Sequence, residues 1–299
     1  MAYRNITLKE ISTILGTPII GDDHVINSLN LINRELFGSN LTYVGHENYI
    51  SYINREEVTA VILNEDVFNS VEPEIKDKKT FFVVENPEDE FYSLHNYLLK
   101  NTDFYNDDKE SVYGDNLNIH PTAVVEDGVI IKDNVTIGPH AVIHKGSIIG
   151  NNVVIHSGAR IGNQGFQVIY RDAVPHLIQH VGGVKIHDDV SIGANSCIAN
   201  SLFDGYTEIG KSTKIDALVF IAHNCKVGKN CVITPGVVMA GSSLVDDGVW
   251  LAPNSVVLNG VEVGDNSLVC SHSLVMKDVP ANTKVIGMPA RKVGKIESK

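Results

Sequence analysis

Ile209-Gly-Lys-Ser-Thr-Lys-Ile215-Asp-Ala-Leu-Val-Phe-Ile221-Ala-His-Asn-Cys-Lys-Val227-Gly-Lys-Asn-Cys-Val-Ile233 places an aliphatic residue at every sixth position. The register continues without a miss through Met239, Val245, Leu251, Val257, Val263, Val269 and Val275. Upstream it runs from Ile119 through Val125, Ile131, Ile137, Ile143, Ile149 and Ile155 to Ile161, then resumes at Ile186, Ile192 and Ile198. Small or β-branched residues follow four positions behind the first seven of these: Ala123, Val129, Val135, Ala141, Ser147, Val153 and Ala159. A period of six matches neither the 3.6-residue helix nor the two-residue alternation of a plain strand. It fits a triangular coil of three short, flat strands, each sending one aliphatic knob inward, with turns at the corners. Stacking of successive coils then supplies parallel backbone hydrogen bonds. An antiparallel sandwich of short strands has no reason to hold so strict a register.

Two interruptions break this prism: residues 163–185 (NQGFQVIYRDAVPHLIQHVGGVK) and, more briefly, residues 204–208. Loops on a rigid scaffold are where binding and chemistry concentrate. The first hundred residues follow other rules. Thr7-Leu-Lys-Glu10 is a capping box that opens a short helix ending near Gly16. Residues 59–63 and 80–84 read as strands. Asn86-Pro87-Glu88 starts a helix with Phe91, Leu94 and Leu98 on one face. The expected organisation is mainly β: an α/β domain over 1–100, a polar linker over 101–118, a parallel β-helix over 119–280 and a tail over 281–299.

The chain has 299 residues, 43% of them hydrophobic and 20% charged, as in ordinary globular proteins. A formal net charge of -12 argues against nucleic acid and anionic membrane as main partners, while allowing a local basic patch. With no apolar leader and no run long enough to span a bilayer, a cytoplasmic protein is expected, without membrane insertion. Cys197, Cys225, Cys231 and Cys270 lack CxxC spacing and read as free thiols.

His223 is the third residue of the hexad Ile-Ala-His-Asn-Cys-Lys, a position at or near a corner, from which a side chain points outward. Imidazole takes a proton near neutral pH, so His223 is the candidate general base. Gly241 lies one coil later in the same phase, where its N–H suits an oxyanion. A three-histidine zinc site is not expected, because His140, His144 and His156 fall on different phases and His223 has no companion nearby.

The repeat pattern resembles that of hexapeptide-repeat acyltransferases, and this resemblance implies the left hand, which general crossover rules do not favour. Lys214-Ile-Asp-Ala-Leu-Val-Phe-Ile-Ala-His-Asn224 resembles the catalytic-histidine segment of the UDP-3-O-acylglucosamine N-acyltransferase family of lipid A synthesis. Leu41-Thr-Tyr-Val-Gly-His-Glu-Asn-Tyr49 is similar to that family's uracil-gripping segment, with His46 in place of the usual Asn. The Gly165-Phe166 loop and Val190-Ser-Ile-Gly-Ala-Asn195 match in order and spacing. The resemblance implies substrate contacts from Tyr43, His46, Tyr49, Phe166 and Asn224. Departures matter as well: Ile198-Ala-Asn-Ser201 replaces an Ile-Asp-Arg-Gly-like segment, and Gly260 stands where a second family histidine falls. The ending, Lys277 to Lys292, instead resembles coenzyme A-dependent sugar acyltransferases, which implies Lys284, Arg291 and Lys292 as phosphate contacts.

The expected activity is N-acyl transfer from acyl-coenzyme A, a co-substrate rather than a bound cofactor, to a nucleotide-linked amino sugar of surface polysaccharide synthesis. Two alternatives stand beside it: the lipid A enzyme with an acyl carrier protein donor, which the short C-terminus disfavours, and a non-catalytic trimeric scaffold, which the His223 segment disfavours. The resemblance further implies a homotrimer in which the 163–185 loop of one subunit closes another's cleft.

Overall fold

The computed structural model describes residues 5–105 and 110–295. Residues 1–4 of the expected first domain, 106–109 of the linker and 296–299 of the tail lie outside the described residues. Two units emerge: residues 5–105 together with Gln167–Gln179, and residues 110–166 with 180–295.

The second unit is a left-handed parallel β-helix with three faces. The first face stacks eight strands from Val112–Tyr113 to Glu262–Val263, and the third stacks eight from Val124–Val125 to Leu274–Val275. The second has ten, from Asn118–Ile119 through Thr283–Ile286, where Arg291–Lys295 adds an antiparallel edge. Each two-residue strand points one side chain in and one out. The inward set is the predicted one: Ile131, Ile137, Ile143, Ile155, Ile221, Ile233 and Val257 are all buried in one continuous core. Burying each such side chain stabilises by about 1.5–3 kcal/mol, offsetting the ordering of very short strands. Cys225 and Cys231 fill interior positions between them, and burial pushes the Cys225 thiol up to about 11.

Sharp corners need left-handed backbone, and the sequence supplies it with asparagine and glycine. Asn116, Asn134, Asn152, Asn195, Asn230 and Asn254 have φ of 56–59°. Their amides also climb from coil to coil: Asn116 donates to Asn134 at 3.1 Å, Asn134 to Asn152 at 3.2 Å, and Asn152 to the Asp189 carboxylate at 2.9 Å. The coil begins at Val112, which stacks on Ile130, rather than at Ile119. It continues past residue 280, since Lys284 and Val285 stack on Leu268 and Val269. Both extensions fall outside the predicted boundaries because an end coil stacks on one side only, which relaxes the demand for a full hexad.

In the first unit, Thr7 and Glu10 form the predicted capping box before helix Leu8–Leu15, with Gly16 in the left-handed region. Four parallel strands, Ser28–Leu29, Asn40–Val44, Val58–Leu63 and Thr80–Val83, form its sheet in that order. Helix Pro87–Asn101 buries Phe91, Leu94 and Leu98. The insertion folds as a hairpin, Gln167–Arg171 against Val174–Ile178, and Arg171 binds the Asp89 carboxylate and, at 2.7 Å, the Ser93 hydroxyl of that helix. The middle of the 163–185 loop is therefore held by its own chain.

His95 on the same helix is fully buried, with Nδ1 2.7 Å from the Tyr105 hydroxyl and Nε2 2.9 Å from the Gln179 carbonyl oxygen. The carbonyl can only accept, so Nε2 carries the proton and Nδ1 accepts from Tyr105. Burial lowers the His95 pKa from 6.5 to about 4. Because the unfolded chain takes up this proton first, the contribution is complete above pH 6.5 and is lost as the pH falls toward 4, about 3 kcal/mol in all. Urea unfolding, followed by hydrogen exchange of the Pro87–Asn101 amides, is expected to weaken more between pH 7 and 4.5 in the wild type than in His95→Gln. Equal losses in the two proteins count against this assignment.

Candidate active site

Ile161 pairs with Ile198, and Ile198 with Ile221, all on the third face. The 163–185 excursion, the short excursion and His223 therefore leave the same corner of three successive coils; the short one, expected at 204–208, spans 200–205, because Tyr206–Ile209 is already paired in the ladder. Coil partners that are elsewhere 18 residues apart are separated by 37 across the long insertion and by 23 across the short one. The returning end of the first excursion is bonded to the second. Val181 N–H donates to the Leu202 carbonyl at 3.1 Å, Gly182 N–H to Ser201 at 3.0 Å, and Ser201 N–H to Gly183 at 3.1 Å. Any side chain at Gly182 would overlap the Phe203 carbonyl, so glycine is what permits this approach.

His223 sits directly beside this joint. Expected as an outward corner residue, it is buried, with 7% of its surface exposed. The insertions explain the difference: they cover a corner that an uninterrupted coil leaves open. Its Nδ1 lies 3.0 Å from Asn224 Oδ1. Asn224 Nδ2 donates to Ser201 Oγ at 2.6 Å, while Oδ1 also accepts the Leu202 N–H at 3.1 Å. This pattern fixes the amide orientation, so Oδ1 is an acceptor and His223 Nδ1 bears the proton. The neutral ring therefore carries its lone pair on Nε2, the form a general base requires. The Asn224 amide thus orients the histidine from the position next to it in the chain.

The opposite edge of the imidazole rests on Gly241. A Cβ there would lie 2.7 Å from both Nε2 and Cε1, so only glycine fits. Among the described residues no ladder bond uses the Gly241 N–H. Prolines occupy the same place in other hexads, at Pro139, Pro235 and Pro253, each just before a left-handed residue. The stacked coils leave this N–H unused in the backbone ladder, and at Gly241 it lies beside His223.

A second histidine completes the corner, so His223, expected to have no companion nearby, has one from the long insertion, which has no period to reveal it. His180 is 2% exposed and meets the His223 ring edge-to-face, with centroids 5.0 Å apart and planes at 81°. Its Nδ1 lies 3.3 Å from the Asn200 carbonyl oxygen, and its backbone bonds to both ends of the Gln164 amide. A side chain at Gly165 would overlap its ring. Phe166, the next residue, is 74% exposed. Among the described residues no three His, Cys, Asp or Glu side chains are grouped as metal ligands.

The first unit holds a separate pocket of about 200 Å³, lined by Leu31, Ile32, Asn33, Tyr43, Gly45, His46 and Tyr49. It lies at the carboxyl ends of strands Ser28–Leu29 and Asn40–Val44, the usual place for a ligand in an open parallel sheet. The three predicted residues are together here, in unequal roles. Tyr43 is a fixed wall: its ring packs 5.1 Å from Phe91 and its hydroxyl donates to Glu88 at 3.2 Å. Burial raises its phenol pKa above the ordinary value. Tyr49 is 40% exposed and offers the open aromatic face. His46 caps the 3-10 helix Glu47–Asn54, its Nδ1 accepting the Asn48 N–H at 3.2 Å, which is a task Asn also performs. The Leu31–Asn33 wall follows a two-residue strand too short to leave a periodic signal.

Lys284, Arg291 and Lys292 share the terminal hairpin, where all three are exposed. The third-face strand above Phe220–Ile221 recurs three times before that end, at Val238, Val256 and Leu274. At about 4.8 Å per coil, the cations stand some ~14 Å or more along the axis from His223.

The bacterial transferase hexapeptide family (six repeats) matches residues 114–145, 131–163 and 206–241. Among curated proteins, UDP-3-O-acylglucosamine N-acyltransferase of Caulobacter vibrioides is 50% identical over 135 residues, 45% of this chain and 40% of that protein. The enzyme of the same name from Methylorubrum extorquens is 36% identical over 138 residues, 46% of this chain and 39% of that protein. The chain thus spans about two fifths of the length of these relatives. Among solved structures, UDP-N-acetylglucosamine acyltransferase from Campylobacter jejuni has a TM-score of 0.50 at 26% identity, covering 60% of this chain and 75% of its own. The Bacteroides fragilis protein of the same name reaches 0.55 at 24% identity, over 62% and 71%. Residues 114–163 and 206–241 of the coil thus match the bacterial transferase hexapeptide repeat, and the coil shares the left-handed β-helix fold of the solved UDP-N-acetylglucosamine acyltransferases.

Proposed function

We propose that the chain is an N-acyltransferase that acylates the amine of a nucleotide-linked amino sugar, with a UDP-linked acceptor of the lipid A type as the leading case. The observation that carries this reading is His223, which Asn224 holds as the Nδ1–H tautomer on a transferase hexapeptide corner. The sugar amine attacks the thioester carbonyl, forming a C–N bond while His223 Nε2 accepts the amine proton. Negative charge gathers on the carbonyl oxygen, within reach of the Gly241 N–H. Collapse breaks the C–S bond, and the thiolate leaves with the proton returned by the imidazolium. The names of the relatives in Caulobacter and Methylorubrum support the lipid A acceptor. The pocket walled by Tyr43 and Tyr49 suits the base of the nucleotide.

A second reading concerns the donor. Three exposed cations on one terminal hairpin suit the phosphates of acyl-coenzyme A, and the span along the coil suits a pantetheine arm, favouring a surface-polysaccharide enzyme. An acyl carrier protein is the donor if the lipid A reading is complete. Assembly as a homotrimer and a cytoplasmic location belong to the same proposal; among the described residues no helix is long and apolar enough to cross a membrane.

His223→Gln is expected to lower kcat by about 10² to 10⁴. Gln is preferred to Ala because the site is buried, and truncation there also costs stability. Wild-type turnover in the variant removes His223 as the base. Tyr49→Ala is expected to raise the sugar-nucleotide KM roughly 5- to 150-fold, the value of one stacked base, with the donor KM unmoved. Equal rises in both KM values place the base elsewhere. Donor identity is settled by comparing acyl-coenzyme A with acyl carrier protein thioesters of matched chain. Turnover with coenzyme A thioesters, weakened by charge reversal at Arg291 or Lys292, supports the second reading; reaction with the carrier thioester alone ends it.

A further inference from the structure

We infer that the two interruptions of the coil form one orienting device for His223, in which Ser201 and His180 are positioning residues. This rests on the proposed role of His223 as base, but its argument is independent of which sugar or donor is used.

A histidine attached to a corner can rotate about two side-chain bonds and exchange between two tautomers, and only the Nδ1–H form leaves Nε2 able to accept a proton. Three contacts remove that freedom. The Asn224 amide selects the tautomer, but an amide can turn over and present its NH₂ instead, which would stabilise the wrong form. Ser201 and Leu202 prevent the turn: Ser201 Oγ takes Nδ2 at 2.6 Å, and the Leu202 N–H takes Oδ1 at 3.1 Å. Both residues belong to the short insertion. His180, from the long insertion, lies edge-on against the ring and sets its plane, with Gly241 closing the opposite side. The insertions in turn fix one another, through the backbone bonds of Val181, Gly182 and Ser201 and through Asn200, whose carbonyl faces His180 Nδ1 and whose Oδ1 accepts the Gly165 N–H at 3.2 Å. Neither insertion alone holds the imidazole: one sets its tautomer, the other its plane.

The test reads the tautomer directly by ¹⁵N-histidine NMR of the full chain, with His223→Gln used to assign the resonance. Wild type is expected to show a His223 signal with protonated Nδ1 and unprotonated Nε2. Ser201→Ala removes one hydroxyl from a buried site with little change of shape, and is expected to give a mixture of tautomers. With turnover established, kcat is expected to fall in proportion to the fraction left in the Nδ1–H form, roughly 2- to 10-fold, while both KM values stay put. Ser201→Thr, which restores the hydroxyl, is expected to recover the single tautomer. His180→Phe keeps the aromatic wedge and is expected to keep the tautomer, whereas His180→Ala broadens the signal. A wild-type Nε2–H tautomer, or an unchanged spectrum in Ser201→Ala, overturns the inference. If the tautomers behave as expected and no acyl transfer is found with any donor, the proposed function falls and the orienting device stands.

Discussion

Every feature of the second unit depends on one constraint, the hydrogen bonding of each coil to the coil 18 residues away. Two-residue strands are too short to persist alone, so each is held only by the strands stacked above and below it. That arrangement turns sequence phase into position in space. Within an uninterrupted run, residues 18 apart are stacked at about 4.8 Å, and anything inserted must leave and rejoin at a corner without disturbing the ladder. The interior then needs only aliphatic knobs of similar size, which is what Ile131, Ile149 and Ile186 supply along the first face.

The same constraint explains how chemistry can be placed on so regular a body. A corner is where the chain turns left-handed and where one N–H is left out of the ladder. His223 and Gly241 occupy neighbouring coils at such a corner, and the insertions roof it. Burial of His223 is thus a product of the chain leaving its own periodicity twice, one coil apart.

Much of this was legible in the residues. Ile119 to Val275 specify the inward face, Thr7 with Glu10 the first helix, and Phe91, Leu94 and Leu98 the packing side of the longest one. Strand Asn40–Val44 was hidden because Asn40 and Thr42 are polar residues buried between parallel neighbours, and the Asn40 amide nitrogen donates to the Phe37, Gly38 and Glu57 carbonyls rather than to water. His180 was illegible for another reason: it lies in a segment with no period, and its place is set by Gly165, Gln164 and Asn200 rather than by spacing. The phase of Ile161, Ile198 and Ile221 did carry a usable signal, since all three fall on one face and so put both insertions beside His223.

A stack of parallel strands has no intrinsic reason to stop, and an open end is a template for another molecule's backbone. Here the chain doubles back: Arg291–Lys295 runs antiparallel to Thr283–Ile286 and becomes the outermost described strand of the second face. A reversed strand cannot serve as the next parallel coil, and Arg291, Lys292 and Lys295 put like charges along its edge. Two such edges brought together repel each other, so the outermost described strand of this face is a poor template for edge-to-edge growth.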